Sequence, residues 1–122
     1  MTDRKRTPRK PTARTSRAKT APVEVGSDAQ GLLDFYREML FIRRFEERAA
    51  RGYTQALIGG YCHLNLGEEA TVVGLMSALQ PTDYLFTNYR EHGYAIARGI
   101  DPRRIMAELY GRVDGVSKGW GG

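Results

Sequence analysis

Cysteine is almost missing from this sequence: Cys62 stands alone among 122 residues. One thiol cannot close an internal disulfide, so the chain is no stapled secreted miniprotein, and its cysteine usage fits a reducing compartment. Histidine is nearly as scarce, with His63 and His92 the two in the chain. A zinc site needs three or four ligands in close geometry, and His63 beside Cys62 does not supply them. Long apolar runs are missing too. None approaches the roughly 20 residues that span a bilayer, and no secretory leader is visible. Acids are scarce in one region only: residues 1–27 carry eight Lys and Arg against Asp3 and Glu24, and the remainder of the chain is close to neutral. The basic character therefore belongs to the tail, and the body gives no reason to expect a nucleic-acid-binding surface.

The tail, residues 1–27, sets Pro8, Pro11 and Pro22 among Thr, Ser, Ala and Arg, with Val23 and Val25 as its large aliphatics after Met1. Too little apolar surface is available there to offset the entropy of ordering, which predicts a disordered basic segment. A mitochondrial import signal shares the Arg-rich, acid-poor composition, but it needs an amphipathic helix whose apolar face this tail lacks. A solvated tether fits better.

The body, residues 28–122, opens with Ser27 or Asp28 as a helix cap, followed by "LLDFYREMLFIRRFEERAARG". Phe35, Met39, Ile42, Phe45 and Ala49 recur at helical spacing and predict a long amphipathic helix ending at Gly52. A loop around Gly59 and Gly60 precedes "GEEATVVGLMSAL", a second predicted helix. Glu68 and Glu69 fall in its first turn, where carboxylates meet the positive end of the helix dipole, so a structural role outweighs acid–base chemistry. Ala70, Gly74 and Ala78 form a small-residue edge suited to close approach of another element. "YLFT", residues 84–87, reads as a short strand, and "REHGYAIARG" as a helical segment closed by Gly99. "DPRRIMAELYG" supplies Asp101 as N-cap, Pro102 at the first helical position, an apolar face from Ile105, Met106, Leu109 and Tyr110, and Gly111 as the stop. One strand among helices requires sheet partners. The expectation is an α/β fold of which this is the mostly helical N-terminal portion, with an incomplete sheet.

Two polar clusters remain. "YCHLNLGEE" places His63 in a loop, and "TNYREHG" places Tyr89, Arg90 and His92 just after the expected strand. Open α/β folds bind ligands beyond the carboxyl ends of their strands. An arginine there offers a planar fork of donors for phosphate or carboxylate, though an ordinary surface ion pair explains the same residue.

"GGYCHLNLGEEA", "TNYREHG", "RGIDPRRIMAELYGR" and "SKGWGG" together resemble the α subunit of thiamine diphosphate-dependent 2-oxo acid dehydrogenases, most closely the pyruvate branch. The likeness covers about residues 31–122, and four linked motifs are more specific than any one. It implies oxidative decarboxylation of pyruvate and transfer of the acetyl group to a lipoyl group on the acyltransferase component. By the same likeness, Tyr89 and Arg90 bind thiamine diphosphate, with Arg90 on the diphosphate, and His63 is the catalytic residue facing the substrate. Lys118, Gly119, Gly121 and Gly122 lead into a loop at the mouth of the site. Magnesium is implied as well, with ligands expected beyond residue 122, and the implied partners are a β subunit that supplies the activating carboxylate and a lipoyl acyltransferase core. The segment is thus expected to be inactive by itself and to work in bacterial cytoplasm or, alternatively, a mitochondrial matrix. His92 is expected to have a structural or supporting role. Acetoin and branched-chain 2-oxo acid dehydrogenases remain open alternatives, as does a small basic interaction protein acting through its tail.

Overall fold

The computed structural model describes residues 29–121. The expected disordered tail, the Ser27 and Asp28 caps and Gly122 lie outside the described residues. Four helices follow in order: α1 (Ala29–Thr54), α2 (Glu69–Ser77), α3 (His92–Ala97) and α4 (Pro102–Leu109). None of the described helices is long and apolar enough to cross a membrane.

The amphipathic pattern of α1 predicts its buried face. Ile42, Phe45 and Ala49 are buried, while Phe35 and Met39 cover the edge of the core from the same helix. Two clusters share that face. Phe45, Ala49 and Ile58 pack with Ile105 and Leu109 of α4, and Ile42 packs with Val72 and Val73 of α2. Each large side chain so buried stabilises the fold by about 1.5–3 kcal/mol relative to exposure. Ile96 of α3 touches both clusters and joins them.

Helix ends follow local chemistry at three places and depart from expectation at one. Asp101 caps α4 by accepting a 2.8 Å bond from the Arg103 amide, with Pro102 behind it. Gly99 and Gly111 end α3 and α4 in the left-handed conformation, as their positions predict. Gly52 does not end α1. The helix runs through it to Thr54, because Gly52 serves close packing instead: a Cβ there would lie 2.5 Å from the Tyr110 hydroxyl. The stop falls at Ala56, with φ of 55°. Paired bonds from the Leu57 amide to the Gly52 carbonyl and from the Ala56 amide to the Tyr53 carbonyl, each 3.0 Å, form a Schellman motif.

At the start of α2 both glutamates have structural partners. Glu69 grips Arg43 of α1 through bonds of 2.6 and 3.0 Å and takes the Gly67 amide at 3.1 Å. Glu68 accepts a 2.7 Å bond from the Asn65 amide nitrogen. Among the described residues the small-residue edge packs against nothing: Ala70, Gly74 and Ala78 are exposed.

The expected strand does not form. Among the described residues there is no β-strand, and residues 84–87 run without one, with Tyr84 and Phe86 both more than 90% exposed. Strand-forming side chains need a second backbone to pair with, and no described segment lies alongside.

Candidate active site

The segment after α1 and the segment before α3 meet beside the core. His63 is flanked by two tyrosines: its ring centroid lies 4.5 Å from that of Tyr61 and 4.3 Å from that of Tyr89. The three rings form a tilted stack whose outer members come from positions 28 apart in sequence. This stack borders a cleft of about 230 Å³, walled also by Gly59, Cys62, His92 and Gly121. A complete small-molecule site usually encloses roughly 300–1,000 Å³. The cleft among the described residues is smaller than that.

Arg90 stands at the edge of this stack. Its guanidinium lies 5.2 Å from the Tyr89 ring centre, and its backbone amide donates to the Asn88 side chain at 2.8 Å, which fixes the local turn. The nearest acid among the described residues is Glu68, at 4.0 Å. Contact that long between half-exposed groups is weak, so the fork of donors stays available to an anion.

Cys62 also borders the cleft, but it packs against the core cluster of Phe45 and Leu109. Burial, and then the nearby Glu46 carboxylate, push its thiol above the ordinary range. A thiol so held is a poor nucleophile at neutral pH. No three His, Cys, Asp or Glu side chains gather for a metal among the described residues.

The glycine-rich segment near residue 120 is tied down by a single carboxylate. Glu108 of α4 accepts from the amides of Ser117 at 2.7 Å, Gly119 at 3.0 Å and Gly121 at 2.8 Å. Burial alone would push this carboxyl up, but the amides of Gly121, Gly119 and Ser117 outweigh it and hold the group below its usual range. Gly115 has to be glycine, since a Cβ would sit 2.7 Å from the Glu108 Cα. This anchoring brings Gly121 to the cleft wall. Lys118 and Trp120 point away into solvent.

One feature at the cleft is not evident from motif reading. His92 is buried and bonded through Nδ1 to Glu46, which has no solvent exposure. A signal for it does exist in the sequence: Glu46 lies four residues after Ile42 and three before Ala49, an acid on the apolar stripe of α1, where a charge needs a partner.

The family model described as "Dehydrogenase E1 component" matches residues 37–122. The pyruvate dehydrogenase E1 component subunit alpha of Zymomonas mobilis subsp. mobilis is 55% identical over 102 residues, which cover 83% of this chain and 29% of that protein. Its namesake from Rhizobium meliloti is 54% identical over 90 residues, covering 74% of the chain and 26% of that protein. The somatic mitochondrial alpha subunit of Homo sapiens is 49% identical over 90 residues, 74% of the chain and 23% of that protein. The chain spans less than a third of the length of these curated relatives. Four motifs in order, their residues folded around one cleft, and a family match over most of the body lead to one conclusion: the chain belongs to the dehydrogenase E1 component family.

Proposed function

We propose that the chain forms the cofactor-facing N-terminal part of a pyruvate dehydrogenase E1 α subunit, acting with a β subunit and passing an acetyl group to the lipoyl group of an acyltransferase core. The observation that carries this reading is the meeting of His63 and Tyr89, drawn from two motifs, at a single cleft, with the Arg90 guanidinium 5.2 Å from the Tyr89 ring centre. Relatives named as pyruvate dehydrogenase subunits support pyruvate as substrate, and bacterial cytoplasm is the location this reading proposes.

The residues present fit thiamine diphosphate. An arginine whose nearest acid among the described residues, Glu68, is only weakly paired at 4.0 Å suits a diphosphate, and glycines on the cleft wall leave room for a ring system. When bound, thiamine diphosphate supplies the electron sink that lets a 2-oxo acid lose carbon dioxide. Arg90 binds the diphosphate through charge-assisted bonds, and Tyr89 packs beside it. His63, its ring held between Tyr61 and Tyr89, donates toward the substrate oxygen on which negative charge develops. Magnesium would be held by ligands outside the described residues, and residues 84–87 would pair with strands of a completed α/β sheet.

The test uses the chain assembled with its β subunit. Arg90→Ala is expected to weaken thiamine diphosphate binding by about ten- to hundredfold, as loss of a charged hydrogen bond dictates. His63→Ala should lower the turnover rate on pyruvate with a smaller effect on cofactor affinity. Unchanged affinity in the first variant, measured by calorimetry, removes Arg90 from the site, and an unchanged rate in the second moves the catalytic role elsewhere.

A further inference from the structure

His92 and Glu46 form a buried pair to which the reading above assigns no task. Glu46 comes from the core face of α1, and His92 is the first residue of α3. The ring nitrogen Nδ1 lies 3.0 Å from one carboxylate oxygen and 3.2 Å from the other, while Phe45 packs edge-on against the imidazole with centroids 6.1 Å apart. A carboxylate only accepts, so the hydrogen sits on Nδ1. Without that donor, a carboxylate with no solvent exposure would stand uncompensated in the core, which is costly.

Holding the hydrogen on Nδ1 makes Nε2 the nitrogen with a free lone pair. Nε2 makes no hydrogen bond among the described residues. The His92 side chain keeps about 10% of its surface exposed. His92 lines the cleft of His63 and Tyr89 and also an adjoining cavity bounded by Glu91 and Glu108. His92 is clamped through Nδ1 by Glu46 while its side chain borders the cleft.

We propose that His92 is a proton-exchanging catalytic residue of this cleft, acting through Nε2, with Glu46 as its positioning residue. The inference rests on the reading of the cleft as part of a thiamine diphosphate and 2-oxo acid site. Nε2 takes a proton from a ligand hydroxyl or a water in the cleft, and the ring becomes an imidazolium with hydrogen on both nitrogens. The same proton returns from Nε2 to the ligand side, and the ring is neutral again with its hydrogen on Nδ1. Glu46 remains a carboxylate throughout. Its task is to fix the tautomer and the ring plane, as carboxylate–histidine pairs do elsewhere.

Nitrogen-15 spectra of the histidine-labelled chain test the pair without cofactor or substrate. There are two imidazoles to assign, and His63→Gln leaves the His92 signals alone. Hydrogen on Nδ1 of His92 is expected, with Nε2 either bare or protonated. Glu46→Gln should erode the Nδ1–H preference. A neutral His92 ring carrying its hydrogen on Nε2 would overturn the proposal. In the assembled enzyme, Glu46→Gln is expected to lower kcat by roughly tenfold or more and His92→Gln by roughly a hundredfold or more. KM for pyruvate and thiamine diphosphate affinity should stay within about threefold under the uniform-binding criterion. The His92→Gln variant carries the kinetic test should Glu46→Gln not assemble. An unchanged kcat overturns the catalytic role. Should the unsubstituted assembly show no 2-oxo acid turnover while the Nδ1–H tautomer is seen, the functional reading fails and the catalytic role with it, and the pair is structural.

Discussion

Gly93 shows how a single residue can hold this site together. It follows His92 in α3 and is buried against Asn65, where a Cβ would stand 2.4 Å from the amide oxygen and 3.3 Å from Ile42 and Val72. Glycine there lets α3 approach the loop that carries His63. Gly93→Ala is expected to cost about 1–3 kcal/mol, the usual penalty for overpacking, with a lower urea midpoint as the measurement. An unchanged midpoint would mean that the loop moves aside easily. His63, Tyr89 and Arg90 are legible in the sequence because motifs carry them; His63 and Tyr89 line one cleft, and the Arg90 guanidinium lies beside the Tyr89 ring without lining that cleft. Glu46 and Glu69 were harder to read. Each needs a partner 46 or 26 positions away, and spacing along one helix says nothing about which distant side chain will arrive.

Elements were legible where their signals are local. Periodicity predicts α1 and α4, and the Asp101-Pro102 start and the Gly99 and Gly111 stops appear where capping chemistry places them. The end of α1 was not legible, since a glycine selected for packing looks the same in sequence as one selected for a left-handed turn. That turn fell on Ala56 instead, and an alanine there bears a steric penalty that glycine does not. Ala56→Gly is therefore expected to stabilise the chain by about 1 kcal/mol, seen as a raised thermal midpoint. Residues 84–87 fail for the opposite reason. Their composition suits a strand, but a strand is a property of two segments, and one is described.

At the scale of the whole molecule, two carboxylates tie distant parts together and set the response to acid. The Arg43 hydrogen bond pulls the Glu69 carboxyl from its ordinary 4.5 to about 2, against burial and with help from backbone amides. Above pH 4.5 this contribution is fully present. As pH falls, the unfolded chain takes up its proton first, so stability drops through the window from 4.5 to about 2 and the contribution is gone below it. Glu108, also held low, acts in the same direction. Urea unfolding across this range should show the loss, and Glu69→Gln should flatten it; an equal acid slope in the variant would show that the Arg43 bond does not carry the effect. Leu32, Leu33, Tyr36 and Phe41 remain about half exposed along one end of α1. The sequence by itself determined where helices form, which faces are apolar and which motif residues could meet a diphosphate, because periodicity, capping and motif spacing are local. Tertiary structure alone decided that Glu46 would clamp His92, that Glu108 would gather the glycine-rich segment and that residues 84–87 would find no strand partner among the described residues, because each depends on which distant groups are brought within bonding reach.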